Sequence, residues 1–179
     1  MENQPNSVAK AAMSYGLYLG LALILSNVIF YVIGQPFSEI AGYLSYVIII
    51  AGIAWAMWTF GQKESADGFP YGRALGLGTL QALFASILVA FYIFILYKFI
   101  DPTLTEKLMA FTEEKMLSKG LSSEQVDSMM GMSKKMMTPT VMSVSQLFSL
   151  TIMGFLFSLI LAIIFKKKPA NPFQEVEAE

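Results

Sequence analysis

Four stretches of this chain, residues 11–33, 40–60, 74–97 and 139–165, contain no Asp, Glu, Lys or Arg. A hydrocarbon core about 30 Å thick is crossed by about 20 apolar helical residues, so each stretch is long enough to span a bilayer. A helix satisfies its own backbone polar groups in lipid. The sequence therefore predicts an all-α integral membrane protein built as a four-helix bundle. Its composition agrees: 14% of residues are charged, where soluble domains carry about 25%.

The chain has no Cys and no His. That excludes disulfides, thiol nucleophiles, Cys/His zinc sites, His general bases and c-type haem attachment. A net charge of -1 gives no basic field for nucleic acid. Glu113, Glu114, Glu124 and Asp127 sit among lysines and read as a solvated face. No Ser has a candidate base, and no phosphate-binding glycine loop is present. No catalytic residue, cofactor or metal is assigned, and the chain is not expected to be an enzyme.

The leader, residues 1–10, has one Lys and one Glu. The apolar run behind it is longer than a signal peptide's, about 7–15 residues, so the first span is expected to be retained. Gly34 and Pro36 break the helix in a tight hairpin at 34–39, and residues 61–73 form a short polar loop around Asp67, Gly68 and Pro70. Residues 98–138 are an insert between spans three and four, predicted as two amphipathic helices. Asp101 and Pro102 mark the first helix start. Leu104, Leu108 and Phe111 then share a face, and Gly120 ends that helix. Ser122 or Ser123 caps the second helix, where Val126, Met129 and Met130 share a face. These six residues form the candidate interaction face for a protein partner or the membrane surface. The tail, residues 166–179, opens with Lys166, Lys167 and Lys168 and is expected to be disordered.

Four spans put both termini on one side. The positive-inside bias is read over short loops near span ends. Lys166, Lys167 and Lys168 abut the last span, while the first hairpin has no Lys or Arg. Both termini are therefore expected in the cytoplasm, with the insert beyond the membrane.

Small residues at every fourth position allow close approach of membrane helices. Ala74, Gly78, Ala82, Ser86 and Ala90 make such a row on span three, with Gly72 and Gly76 on a neighbouring stripe. Gly16 and Gly20 on span one, and Gly154, Ser158 and Ala162 on span four, extend the pattern. It reads first as packing within one bundle; a homodimer face is the alternative. Polar side chains within the spans also have two readings, hydrogen bonds between helices or a polar pathway lined by Asn27, Gln81 and Gln146. No titratable acid or base accompanies these three, and proton relays and ion coupling need such groups. Met129, Met132 and Met136 share helical spacing in the insert. They supply adaptable apolar surface, with Cu(I) binding the weaker reading. Tyr15, Gly16, Leu19, Gly20 and Leu21 match Tyr71, Gly72, Leu75, Gly76 and Leu77 in register, either by chance or through a parallel duplication.

Tyr15-Gly16 opens span one, the Gly-Phe-Pro-Tyr-Gly-Arg-Ala stretch at residues 68–74 enters span three, and Phe99-Ile100-Asp101-Pro102 leaves it. With a helical insert and a last span, this order resembles a bacterial "domain of unknown function" family of small four-span membrane proteins, over residues 7–168. The resemblance implies an integral inner-membrane protein with no assigned activity and no catalytic residues to carry over. The leading expectation is a non-enzymatic membrane protein mediating protein or lipid interaction. The alternative is a small transporter or channel subunit for an uncharged solute.

Overall fold

The computed structural model describes residues 8–63 and 68–168. The start of the leader, Asp67, residues 169–179 of the tail expected to be disordered, and the side chain of Met132 in the Met triplet lie outside the described residues. Helix α1 is Val8–Val32, α2 is Glu39–Lys63 and α3 is Tyr71–Ile95, which runs on through a π-helical turn, Leu96–Ile100. The insert holds α4, Leu104–Ser118, and α5, Ser123–Met136, before α6, Pro139–Phe165. Four of these elements, α1, α2, α3 with its π turn, and α6, are long and apolar enough to cross a membrane. The fold is an all-α membrane helical bundle.

Local chemistry sets the helix ends. Gly34, at φ 77°, ends α1; its N–H donates to Tyr31 O and the Gln35 N–H to Phe30 O. This paired closure satisfies terminal carbonyls and favours Gly at the left-handed position. Gly120, at φ 86°, ends α4 through the same pair of bonds, to Leu117 O and Met116 O. Ser122, rather than Ser123, caps α5, in a capping box with Gln125. Thr138 caps α6, with Pro139 at its first position. Span three is longer than the sequence suggested, because a π turn carries the helix to Ile100, where the Asp101 N–H donates to Leu96 O. The first insert helix starts at Leu104, not Pro102: Asp101 Oδ1 first accepts the Thr103 N–H at 3.1 Å and the Thr103 hydroxyl, closing a side-chain turn ahead of it.

Helix α3 is the axis of the bundle, packed most extensively on α6 and α1, with α2 across them. Its row Ala74, Gly78, Ala82, Ser86 and Ala90 is entirely buried. Along the antiparallel α3 and α6 the small residues pair off. A Cβ on Gly78 would strike Ser158 Oγ, and one on Gly154 would overlap Ala82 Cβ. One turn on, the Ser86 and Thr151 hydroxyls meet at 2.9 Å. Helix α1 runs parallel to α3, with Gly16 against Phe84 and Gln81, and Gly20 against Leu88. At Gly72 and Gly76 an added Cβ would meet nothing within 4 Å, so among the described residues this pair forms no close-packed helix seam. The two matched Tyr-Gly stretches thus occupy unlike surroundings. Tyr15 packs edge-on to Trp55 at 5.4 Å, while Tyr71 is exposed.

At the end away from the insert, Phe69 and Lys167 exchange backbone hydrogen bonds of 2.9 and 2.8 Å. Phe69 is fully buried and lies on Phe60, which ties the second loop to the exit of α6.

Candidate binding cleft

The α2 and α6 helices part toward the insert. Tyr46 on α2 and Phe157 on α6 close the gap between them, edge to face at 6.4 Å. Above that contact α2 presents Ala41, Gly42 and Ser45, too small to reach α6. A Cβ on Gly42 would meet nothing within 4 Å. The space left is a cleft of about 360 Å³ between α1, α2, α3 and α6. It falls at the lower end of small-molecule pockets, roughly 300–1,000 Å³.

The lining changes with depth. At 1.5 Å rise per residue, Asn27, Ser45 and Gln146 lie roughly 7–11 Å inside the insert-side helix ends, joined there by Tyr92. Leu23, Ile49, Leu150 and Met153 lie roughly 13–21 Å inside by the same rise and form an apolar floor with Val89. Ser149, roughly 15 Å inside by the same rise, lies at the level of the floor. The Tyr92 hydroxyl donates to Asn27 Oδ1 at 2.8 Å, holding the amide at the α1–α3 wall. The lining includes no Asp, Glu, Lys or Arg.

The insert forms the roof. Buried Leu104, with Leu108 beside it, packs on Leu96, Tyr97, Tyr31 and Phe37. Phe111 of α4 lies on Phe37 at the cleft mouth, ring centres 5.6 Å apart. Lys115 Nζ reaches Glu39 Oε1 at 2.7 Å. Asp101 accepts from the Tyr31 hydroxyl at 3.3 Å and from Lys107 Nζ at 3.2 Å. The Thr103 hydrogen bond first, with Lys107 and Tyr31 adding to it, holds the Asp101 carboxyl below its ordinary value. Helix α5 packs on α4. Its Val126 is buried, Met130 is half-buried and Met129 is exposed.

The predicted polar trio is therefore split. Asn27 and Gln146 share the cleft. Gln81 does not line it: its Nε2 donates to Gly52 O at 3.1 Å, and its Oε1, also buried, has no hydrogen-bond partner among the described residues. The predicted insert face divides too, with Leu104, Leu108 and Phe111 used against the span ends and Met129 left outward. Sequence reasoning missed Gly42, Ser45, Tyr46 and Tyr92. Of these, only the small residues at the start of α2 gave a signal, and alone it reads as packing.

A family model described as "Protein of unknown function (DUF4199)" matches residues 14–167. No curated protein and no solved structure matches the chain.

Proposed function

Because the chain belongs to the DUF4199 family of proteins of unknown function, we propose its role from geometry: it is a non-enzymatic, multi-pass membrane protein that acts by binding a molecule in the cleft between α2 and α6. The observation that carries this reading is a concave, uncharged site with hydrogen-bonding side chains at one level and apolar side chains below. The uncharged lining suits a neutral occupant, because a buried charge needs a partner. Pairing of Asn27 with Gln146 in one cleft also favours the reading as a transporter for an uncharged solute. The apolar, buried floor of Leu23, Ile49 and Leu150 supports binding over passage. A protein partner has its best surface on α5, at exposed Met129 and Met136.

The test is native mass spectrometry of the full chain extracted in mild detergent, wild type against Gly42→Phe. Gly42 lines the cleft and an added Cβ there meets nothing within 4 Å, so phenylalanine puts bulk at the cleft wall without a clash. The wild type is expected to carry a bound non-protein mass that the variant largely loses. Equal bound mass in both, or none in either, overturns the reading.

The membrane is proposed to be the cytoplasmic one, with both termini inside. Among the described residues, Lys10, Lys63, Arg73, Lys166, Lys167 and Lys168 mark the end away from the insert. Lys98, Lys107, Lys115, Lys119, Lys134 and Lys135 lie at the insert end, so the bare count is even; the run Lys166 to Lys168 directly at the exit of α6, against a first hairpin without Lys or Arg, carries the orientation. A reporter joined after Glu179 should read cytoplasm and one at Gly120 the far side; the reverse pattern overturns the orientation.

A further inference from the structure

Resting on the binding reading above, we infer that the cleft takes the headgroup and first chain segment of an uncharged, hydroxyl-bearing lipid, which enters sideways between α2 and α6.

Three observations converge on this class. The first is polarity against depth. Most of the cleft's hydrogen-bonding groups, Asn27, Ser45, Tyr92 and Gln146, sit near the insert-side helix ends, and Leu23, Ile49, Val89, Leu150 and Met153 lie deeper along the same axis, with Ser149 among them. A lipid in the same leaflet is ordered the same way, oxygens at the interface and methylenes below.

The second observation is charge. Glu39, beside the lining residue Ser38, and Lys115, beside Phe111 at the mouth, are joined to each other at 2.7 Å. No cation in the lining faces the position of a headgroup. An anionic headgroup brought there would lose water without gaining a counter-charge. A hydroxyl or ester oxygen loses less and finds amide and hydroxyl partners.

The third is access and size. Tyr46 and Ser149, on facing edges of α2 and α6, both line the cleft and are exposed. In a bilayer that exposed side faces lipid, whereas the roof above is occupied by Phe37 against Phe111. About 360 Å³ holds a small head with part of one chain, and the remainder of the lipid stays in the bilayer.

The test titrates the purified full chain with three probes, by native mass spectrometry and by thermal shift: a monoacylglycerol, a phosphatidylglycerol, and glycerol alone. Wild type is compared with Gly42→Phe, Gln146→Leu and, as a control on the outer face of α6, Ile160→Phe. Monoacylglycerol should bind wild type and Ile160→Phe alike. It should bind at least tenfold more weakly to Gly42→Phe, and measurably more weakly to Gln146→Leu, which keeps side-chain bulk but removes the amide. Phosphatidylglycerol and glycerol should be unaffected by either cleft variant. If glycerol binds wild type and is excluded by Gly42→Phe, the cleft is a solute site: the binding reading stands and the lipid assignment falls. If phosphatidylglycerol shows the same cleft dependence as monoacylglycerol, the requirement for an uncharged head falls. If all four proteins bind every probe alike, both readings fall together. Should Gly42→Phe not be recovered folded, Gln146→Leu against Ile160→Phe decides alone.

Discussion

Helix α6 has two halves that treat small residues in opposite ways. In its inner half Gly154 and Ser158 meet Ala82 and Gly78 of α3 so closely that no Cβ fits between them. In its outer half, Gln146 and Ser149 look across at Ala41, Gly42 and Ser45 of α2, and the space stays open. The residue types are alike, and the difference is the partner. On α3 a buried small row faces another small row, so the backbones close up. On α2 the helix is held off by Tyr46 against Phe157, so small side chains leave volume. A small-residue row thus closes a seam only where the opposing helix is free to approach.

Magnitudes indicate what holds the seam. The Ser86 and Thr151 hydroxyl contact is worth about 0.6 kcal/mol if it is an average interhelical hydrogen bond in lipid. Forcing extra methylenes into a packed interior costs about 1–3 kcal/mol, occasionally more. Steric fit therefore outweighs the hydrogen bond, and it gives the sharpest way to break the comparison. Gly154→Leu should destabilise the bundle by about 3 kcal/mol or more, beyond ordinary overpacking, because its Cβ alone would overlap Ala82. Gly42→Leu should change stability by no more than about 0.5 kcal/mol, as at an uncrowded surface position. Thermal unfolding of the two variants in detergent checks this. Equal losses would mean that the cleft closes in the folded bundle and is no site.

The four spans and the buried row on α3 were legible in the sequence, because charge-free runs and fourfold spacing are properties of one segment. The cleft was not, because it depends on how two helices diverge. Gly16, Gly20, Gly72 and Gly76 look equivalent in the chain, yet among the described residues only at the first two would a Cβ meet another helix. Gln81 and Gln146 are the same residue type in apolar spans. Gln81 Nε2 is spent on the Gly52 carbonyl away from the cleft, and Gln146 lines the open space. The insert was half legible. Its apolar face at Leu104, Leu108 and Phe111 could be read from spacing, but the surface it covers, Tyr31, Phe37 and Tyr97, comes from three separate segments.

The smallest effect sharpens the comparison from the roof side. Asp101 anchors the insert above the cleft through Thr103, Lys107 and Tyr31, and these partners hold its carboxyl below its ordinary value, the Thr103 hydrogen bond most. The contacts favour the ionised form, so the folded state binds its proton less readily than the unfolded state. The stability this confers is complete above the unfolded value, about pH 3.9, and is lost as pH falls through the lowered folded value. The seam between α3 and α6 has no titratable acid or base and should not respond. Hydrogen exchange, corrected for its intrinsic pH dependence, should therefore leave the amides of Leu104 to Leu108 equally protected from pH 7 down to pH 5. Their protection should fall only in stronger acid, while those of Ala82 to Ser86 stay constant. Asp101→Asn should weaken the roof slightly at neutral pH and shrink the acid step, leaving the part due to Glu39, which its hydrogen bond to Lys115 also holds low. An acid step that survives undiminished in Asp101→Asn would show that this carboxylate does not anchor the insert.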